Sequence, residues 1–303
     1  MPLRFTLRQL EYLVAVADSG SVALAAERVN VSSPSISAAI AQLEAEFGLH
    51  LFIRRHAQGL SLTEGGRQFT ATARGVLAAA GRLSDSAAEI TGEVRGALAV
   101  GCLQTFAQVV LPQVRRSFAD RFPQVEMRQS ERHQAALFEG LRNASLDVAL
   151  TYAMQIPADL RFEPLAPLAP YALLPEEHPL AGQSQVSTAE LAPFPMVLLD
   201  LPHSADYFLS LFSAEGLRPL IAERTRDMGM MRSLVANGFG YSIANIRQAG
   251  AIAPDGRRLV EVPMAGPRLE IGLVLPQGPL RRAVSAFLDH CRIAVPPAAG
   301  ARG

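Results

Sequence analysis

The sequence predicts an N-terminal all-α winged helix-turn-helix, a long helix, and a C-terminal α/β domain of two lobes. Three observations support this. Residues 21–47 form two amphipathic segments around a tight turn, residues 63–91 carry one apolar stripe at heptad spacing, and strand and helix patterns alternate from residue 97 onward. The expected boundaries are 1–62 for the winged domain, 63–91 for the helix, 92–96 for a hinge and 97–303 for the α/β domain.

Composition narrows the class of protein. The 303 residues fit two or three domains. No apolar run is long enough to span a membrane and no signal peptide precedes the first helix, so we expect a cytoplasmic protein without a membrane partner. All 28 basic residues are arginine, which excludes Schiff-base and P-loop lysine chemistry, and the net charge is zero.

No enzyme motif is present. The six histidines lack metal-ligand spacing, and the two cysteines, Cys102 and Cys291, lie far apart in the sequence. No nucleophile elbow, zinc-protease helix motif or dinucleotide fingerprint occurs. We therefore expect a non-enzyme with no catalytic residue, no metal and no cofactor. A structural role for Cys102 is favoured over redox sensing.

The first helix should run from Thr6 to Ala17, opened by Thr6 and Gln9 at capping-box spacing. Its expected inward residues are Leu10, Leu13, Val14 and Ala17. After the helix-turn-helix, strands at Leu51–Arg54 and Leu60–Leu62 are predicted to form a wing around a turn at Gln58 and Gly59. The wing carries the basic residues Arg54, Arg55 and His56.

The helix after the turn, up to Phe47, is a candidate groove-binding helix. Ser33 is placed to cap its free N–H groups, and Pro34 takes the first helical position. Apolar side chains on one face recur at spacings of four, three and four, and they are Ile36, Ile40, Leu43 and Phe47. The opposite face is small or polar and holds Ser35, Ala38, Ala39 and Gln42. Such a helix can pack on a core and enter a major groove.

The long helix from Thr63 to Thr91 has apolar positions at alternating spacings of four and three, as in a coiled coil. They are Phe69, Ala73, Val76, Ala80, Leu83, Ala87 and Ile90. A seam between two copies of the chain is favoured, because the preceding domain is too small to cover a stripe roughly 40 Å long. The alternative is a surface helix packed on its own chain.

Beyond the hinge, a βαβαβ pattern predicts a parallel sheet. Its strands are expected at Ala97–Cys102, Val125–Gln129 and Val148–Tyr152, and its helices at Phe106–Phe122 and Gln134–Asn143. A second unit has strands near 171–174, 196–199, 220–224 and 241–244, and the chain returns through Ile271–Leu275 and a helix at Leu280–Ile293. The lobes are therefore expected at about 97–164 with 270–295, and at 165–269. A ligand cleft should lie between them.

Two helix starts are candidates for binding a small anion in this cleft. Gln104 and Thr105 lead into one helix, and Pro202, His203 and Ser204 into another. Ordinary capping is an equally good interpretation of Thr105 and Ser204, and exposure to solvent is the default for His203. Asn245 follows a strand and would place an amide at the cleft wall.

The segment LRQLEYLVAVADSGSVALAAERVNVSSPSISAAIAQLEAEFGLHLFIRR, followed by LSLTEGG, resembles LysR-type transcriptional regulators in order, spacing and residue type. HPL at 178–180 and VANGFGYSI at 235–243 look like features of the family's effector domain. The resemblance implies a periplasmic-binding-protein-like effector domain, and at least a homodimer. A solute-binding module, the alternative, would lack the first 91 residues.

The resemblance also implies partners and sites. The partners are double-stranded DNA, a small effector that we expect to be anionic, further copies of the chain as a dimer or dimer of dimers, and RNA polymerase as a further candidate. Expected DNA-contacting residues are Ser32, Ser33, Pro34, Ser35, Ser37, Ala38, Gln42, Arg54 and Arg55. Expected effector-contacting residues are Gln104, Thr105, Phe106, Ser130, Pro202, His203, Phe239 and Asn245.

The chain departs from the family pattern in the groove-binding helix. Relatives commonly carry glutamine at the position of Ser33, and arginine and glutamine at those of Ala38 and Ala39. The usual bidentate readers of guanine and adenine are therefore missing. This predicts weaker direct readout of bases and more dependence on the wing and on DNA shape.

Overall fold

A computed structural model describes residues 3–55, 59–91, 93–202, 204–248 and 250–295. The chain divides into two compact units. The first is formed mainly by Met1–Gly96 and the second by Ala97–Leu141 and Leu146–Gly303. Each unit has its own fold. In the described residues, no helix is both long enough and apolar enough to cross a membrane.

Three helices begin the first unit: α1 (Leu7–Ser19), α2 (Val22–Arg28) and α3 (Ser33–Phe47). The predicted capping box is present, since Thr6 and Gln9 each bond the other's backbone N–H group. The core holds Leu10, Leu13, Ala15, Val16, Ala25, Ala26, Ile36, Ile40, Leu43, Leu51 and Ala73. Val14 and Ala17, expected to point inward, are only half-buried, and Ala15 and Val16 take those places.

The wing follows α3 as an antiparallel pair, β1 (Phe52–Arg55) and β2 (Gly59–Leu62). The Glu44 side chain of α3 accepts a hydrogen bond of 2.7 Å from the backbone N–H of Leu51 and so holds the start of the wing against the helix. His56 and Gln58 of the predicted turn lie outside the described residues. Gly59, the other turn residue, has φ of +79°, a conformation that favours glycine.

The long helix α4 spans Glu64–Thr91. Thr63 caps it by accepting the Gly66 N–H at 2.8 Å. A side chain at Gly66 would place its Cβ 2.1 Å from the carbonyl oxygen of Leu51, so glycine is required where the helix crosses the start of the wing. The first turns of α4 are thus fastened to the winged domain.

The second unit opens with lobe 1. Its strands are β3 (Gly96–Leu103), β4 (Val125–Arg132), β5 (Val148–Tyr152), β6 (Leu160–Leu168) and β12 (Leu269–Pro276), in the sheet order β4-β3-β5-β12-β6. Its helices are α5 (Gln104–Ala107), α6 (Leu111–Arg121), α7 (Gln134–Arg142) and α11 (Arg282–Ala294). The rings of Phe118 on α6 and Phe287 on α11 meet edge to face at 5.1 Å.

Three expectations for lobe 1 are wrong. The sheet is mixed rather than parallel, because β12 returns from the other lobe and runs antiparallel to both neighbours. The single helix expected from Phe106 is two helices, and Pro112 stands in the first turn of α6, where a proline is readily accepted. The unexpected strand β6 contains Pro164 and Pro167, which are tolerated because it lies at the sheet edge.

Lobe 2 holds the remaining elements. Its strands are β7 (Tyr171–Pro175), β8 (Pro195–Leu199), β9 (Leu220–Thr225), β10 (Ser242–Ala244) and β11 (Leu259–Pro263), and its helices are α8 (Thr188–Leu191), α9 (Ser204–Ser213) and α10 (Met228–Ala236). β7 lies between β10 and β11 in an antiparallel sheet, and β8 pairs with β9 in parallel. Two short crossovers, after Leu168 and before Leu269, connect the lobes, so the first lies a few residues beyond the expected boundary.

Candidate functional site

The exposed face of α3 is the first candidate site. Ser35, Ser37, Ala38 and Gln42 are all exposed on it, while Ile36 and Leu43 are buried on the opposite side. Ala39, expected on the exposed face, is 7% exposed and belongs to the buried side. From the start of α3 to Gln42, no exposed side chain is larger than glutamine, so this surface of the helix is smooth.

The start of α3 differs from the prediction. Ser32, not Ser33, is the N-cap residue, and its hydroxyl accepts the Ser35 N–H at 3.3 Å. The two hydroxyls of Ser32 and Ser35 also lie 2.8 Å apart. The shift of one residue places Ser33 in the helix, half-buried, and Pro34 in its first turn. Ser32 is therefore partly committed to the helix itself.

Gln42 is also partly engaged. Its side-chain oxygen accepts a hydrogen bond of 2.8 Å from the amide of Gln9 on α1. Because the oxygen is used, the amide nitrogen of Gln42 keeps its two donors for an outside partner. The backbone of Arg54 and Arg55 lies in β1, opposite Leu60 and Gly59.

The predicted seam of α4 divides into two parts. Phe69 and Ala73 pack on the core of their own domain, and the Phe69 ring lies 4.7 Å from that of Phe47. Farther along, Val76 is 37% exposed and Leu83 is 78% exposed, with Ala80 half-buried between them. The side chains of Ala87 and Ile90 lie outside the described residues. Packing on the same chain, the alternative interpretation, therefore holds for Phe69 and Ala73.

The second candidate site is a cleft between the lobes of the second unit, with a volume of about 200 Å³. Gln104, Thr105 and Glu131 line it from lobe 1, and Leu201, Arg226 and Met228 line it from lobe 2. Gln104 and Thr105 belong to the four-residue helix α5 and not to the start of the long helix that was predicted, so the helix dipole at this point is weak. Across the cleft, the Asp227 carboxylate already accepts an N–H group at the start of α10.

The other expected effector residues lie behind or beside the cleft. Phe106 is fully buried and packs edge to face on Tyr152 at 4.7 Å, so it supports the wall from behind. Ser130 accepts a hydrogen bond from Arg132 and sits next to Glu131, which does line the cleft. Pro202 is exposed beside Leu201, and His203 lies outside the described residues.

Phe239 does not line the cleft. It is 51% exposed, just beyond the C-terminal end of α10, whereas the cleft lies at the N-terminal end of that helix. Arg226, Asp227 and Met228 were not predicted from the sequence. The Asp227 N-cap and the Met-Gly-Met-Met run after it mark a helix start, which was the available signal for that wall.

A buried polar cluster lies at the junction of the lobes. The Tyr152 hydroxyl, at the end of β5 in lobe 1, donates a 2.7 Å hydrogen bond to the side-chain oxygen of Asn245, just after β10 in lobe 2. Burial raises the pKa of Tyr152, against smaller lowering effects of Thr105 and Asn245. The phenol therefore stays protonated and remains a donor.

Several atoms of this cluster have no partner among the described residues. The amide nitrogen of Asn245 makes no hydrogen bond, nor does the side-chain oxygen of the fully buried Gln134. The Thr105 hydroxyl lies near that of Tyr152 without forming a hydrogen bond of good geometry, although Thr105 is only 7% exposed. Buried polar atoms without partners are uncommon, so these groups are candidates for binding a ligand or water.

The cysteines do not contribute to the cleft surface. Cys102 and Cys291 are both free and buried. Burial raises the pKa of Cys291 to about 12 and raises that of Cys102 as well. Both thiols are therefore protonated at neutral pH and weakly reactive. The described residues hold no group of histidine, cysteine and acidic side chains that could bind a metal ion.

Comparison with known families matches both units. Residues 7–67 match the family of bacterial regulatory helix-turn-helix proteins of the lysR type. Residues 91–295 match the LysR substrate binding domain. Together the two matches span nearly the whole of the described chain.

Individual proteins agree with the family matches. An uncharacterized HTH-type transcriptional regulator of Escherichia coli, YnfL, is 32% identical over 256 residues, which cover 80% of this chain and 82% of that protein. The crystal structure of HinK, a LysR family regulator from Pseudomonas aeruginosa, is 35% identical with a TM-score of 0.64, covering 95% of this chain and 98% of that one. Full-length CbnR, solved in complex with its target DNA, is 26% identical with a TM-score of 0.67, covering 96% and 100%.

Proposed function

The chain belongs to the LysR family of bacterial transcriptional regulators, and from this premise we propose how its two units act. Members of the family are regulators and not enzymes. The N-terminal unit binds operator DNA through α3 and the wing. The second unit binds a small effector in the interlobe cleft and changes how the DNA-binding units are presented.

The observation that carries the DNA-binding proposal is the smooth exposed face of α3. Ser35, Ser37 and Ala38 let the helix approach the floor of a major groove closely, and the methyl group of Ala38 suits a thymine methyl. Gln42 supplies amide donors. With no arginine on this face, phosphate contacts from Arg54 and Arg55 in the wing supply much of the affinity.

Dimerisation is assigned to the outer part of α4. The side chains of Val76 and Leu83 are exposed on the same stripe, one heptad apart, and Leu83 is 78% exposed. An apolar stripe of this kind is stable in water when a second helix covers it. Two copies would place two α3 helices on two half-sites of an operator, and further contacts would make a dimer of dimers. RNA polymerase is a candidate partner of the assembled regulator.

The effector is assigned an acidic group. Arg226 lines the cleft and has no ion-pair partner among the described residues, so its charge is available to an anion. Glu131 and Asp227 line the same cleft, which favours a ligand that also carries a hydroxyl or an amino group. The volume of about 200 Å³ limits it to a small molecule.

Effector binding acts by shifting populations. A ligand that contacts both lobes favours the closed arrangement, in which the cleft walls are nearest each other, over the open one. Such a shift requires that the ligand bind the closed arrangement more tightly than the open one. The Tyr152–Asn245 hydrogen bond lies at the junction that such a movement would bend. DNA bending would then differ between the two states.

A thermal-shift screen of small hydroxy and amino carboxylates tests this proposal, because a ligand that binds only the folded state raises the melting temperature. The effector found should also change the DNA footprint, and Arg226→Ala should abolish its thermal shift. An unchanged footprint with a ligand proven to bind the cleft would contradict the mechanism. Failure to bind any promoter DNA at low salt would contradict the DNA-binding proposal itself.

A further inference from the structure

A network of hydrogen bonds connects the start of α1 with the exposed face of α3. The backbone N–H of Thr6 donates to the side-chain oxygen of Gln9 at 2.8 Å, within the capping box of α1. The side-chain nitrogen of Gln9 then donates to the side-chain oxygen of Gln42 on α3, also at 2.8 Å. We call these three residues the Thr6–Gln9–Gln42 network. It links the cap of one helix to a side chain that faces outward from another.

The network determines which way the Gln42 amide points. A backbone N–H group can only donate, so the atom of Gln9 that faces Thr6 is its oxygen. The nitrogen of Gln9 is therefore the atom that faces Gln42, and it needs an acceptor, which is the Gln42 oxygen. Turning the Gln42 amide over would place two N–H groups against each other. In the part of the chain that the structure describes, the Gln42 nitrogen has no hydrogen-bond partner, so its donors are available to an outside acceptor.

Gln42 lies on the part of α3 that is proposed to face DNA. It follows Ser35 and Ala38 at spacings of three and four, so the three side chains share one exposed stripe. Gln42 is the longest of the three, because the serine and alanine side chains end at the β-carbon or one atom beyond it. A base edge that approaches this stripe in the major groove therefore meets the Gln42 nitrogen.

The bases differ in what they offer to such a nitrogen. In the major groove, guanine presents two acceptors, N7 and O6, whereas adenine presents the N7 acceptor and the N6 donor. Glutamine commonly binds adenine with both amide atoms, its oxygen accepting from N6 and its nitrogen donating to N7. The Gln42 oxygen is already bonded to Gln9, and only the nitrogen is left for a base. Its donors match guanine better than adenine.

We infer that Gln9 is a positioning residue that makes Gln42 select guanine over adenine at one position of each half-site. The inference rests on the proposed function, namely that the exposed face of α3 lies in the major groove. Gln9 is half-buried on α1 and contacts no base in this arrangement. It acts by holding the Gln42 oxygen, and the base preference follows from the donors that remain.

Gln9→Glu tests the inference, because it reverses the network without removing the capping box. A glutamate at this position still accepts the Thr6 N–H, as in a Thr-x-x-Glu capping box. Its other oxygen is also an acceptor, so the Gln42 amide has to turn its nitrogen toward α1 and its oxygen toward the groove. Adenine and cytosine, which carry an amino donor in the major groove, should then be preferred over guanine.

The measurement is selection of bound duplexes from a random-sequence DNA library by the full-length protein. The wild type is compared with Gln9→Glu, Gln42→Ala and Gln68→Glu. Gln68→Glu is the matched control, because Gln68 is exposed on α4 and lies outside the network, so the same change of charge leaves the Gln42 amide as it was. In a second measurement, 7-deazaguanine replaces each guanine of the selected duplex in turn and so removes one N7 acceptor at a time.

We expect one guanine position whose preference is lost in Gln42→Ala, changes to adenine or cytosine in Gln9→Glu, and persists in Gln68→Glu. At that position, 7-deazaguanine should lower the affinity of the wild type by about five-fold and leave the affinity of Gln42→Ala unchanged. This second comparison does not depend on the folding of Gln9→Glu, since Gln42 is exposed and its truncation leaves the core of the domain intact.

A guanine preference that persists in Gln9→Glu would overturn the inference, and so would a wild-type preference for adenine at the position that depends on Gln42. An unchanged preference in Gln42→Ala would overturn it as well. All three results leave the DNA-binding proposal standing. If the wild type selects no duplex at low salt, the proposed function fails and this inference fails with it.

Discussion

The exposed face of α3 is formed by one continuous segment of the chain, whereas the interlobe cleft is formed by several segments that are distant in sequence. The α3 face comes from one helix of 15 residues, and its side chains share a surface because the helix repeats every 3.6 residues. The cleft brings together Thr105, Glu131, Leu201 and Arg226 from four separate parts of the chain. We therefore expect α3 to tolerate changes of its exposed residues without loss of fold, whereas changes behind the cleft should affect both ligand binding and stability.

The largest effect is expected from Ala38→Glu. Ala38 is exposed on α3, so the fold should remain intact, but a carboxylate facing DNA repels the phosphates. We expect DNA affinity to fall by about 100-fold with an unchanged melting temperature, measured by fluorescence anisotropy and by thermal unfolding. Ala135→Glu, an exposed position on α7, is the control with the same charge change. Equal losses of DNA affinity in the two variants would contradict the proposal that the exposed face of α3 contacts DNA.

Tyr152→Phe tests the dual role of residues behind the cleft. The change keeps the ring contact with Phe106 but leaves the buried Asn245 oxygen without its donor. We expect a loss of about 1–3 kcal/mol in the free energy of unfolding, measured by urea denaturation. Tyr207→Phe is the control, because the Tyr207 hydroxyl bonds the Pro267 carbonyl in an exposed setting. If Tyr152→Phe lowers the free energy of unfolding no more than Tyr207→Phe does, the Tyr152–Asn245 hydrogen bond stabilises the protein no more than an exposed one.

Thr105→Val separates binding from stability within the cleft. The Thr105 hydroxyl makes no hydrogen bond of good geometry inside the protein, so its replacement by a methyl group should not lower the melting temperature. Affinity for the ligand identified by the thermal-shift screen should fall by about 3- to 10-fold. Thr188→Val serves as the opposite control, since the Thr188 hydroxyl bonds Glu215 outside the cleft. Unchanged affinity in Thr105→Val would mean that the hydroxyl does not contact the ligand.

The smallest effect is expected from Arg54→Ala in the wing. Loss of one phosphate contact should weaken binding to all DNA sequences alike and reduce the slope of log affinity against log salt by about one. The measurement is a salt titration of binding to operator and to unrelated DNA. A sequence-dependent loss would show that Arg54 contacts bases instead, and no loss at any salt concentration would exclude it from the interface.

The winged domain was predicted more accurately from the sequence than the interlobe cleft. The N-termini of α1 and α3 were predicted within about a residue, because caps and apolar spacing are local signals. The fold class and the family also agree with the comparisons. The cap of α3 is Ser32, one residue before the predicted Ser33. Ala39 is buried and not exposed as predicted, because the width of the buried face depends on which neighbouring residues cover it.

The cleft was predicted less completely. Gln104 and Thr105 were found because they follow a strand, and strand ends collect at one edge of a sheet. Arg226 and Glu131 were missed, since nothing local distinguishes a cleft arginine from any exposed arginine. Phe239 was placed in the cleft although it lies beyond the far end of α10. The apolar pattern of a helix does not show which of its two ends lies at the cleft.

The winged domain, the long helix and the alternation of strands and helices depend on local periodicity and could be predicted from the sequence. The lack of lysine, which excludes lysine chemistry, follows from composition alone. Which side chains from distant segments face one another depends on the packing of the whole fold. This packing places β12 antiparallel between β5 and β6, sets Phe69 and Ala73 against the core of their own domain, and joins Tyr152 to Asn245 across 93 residues. Such pairings result from packing over the whole domain, and no short window of sequence contains both partners.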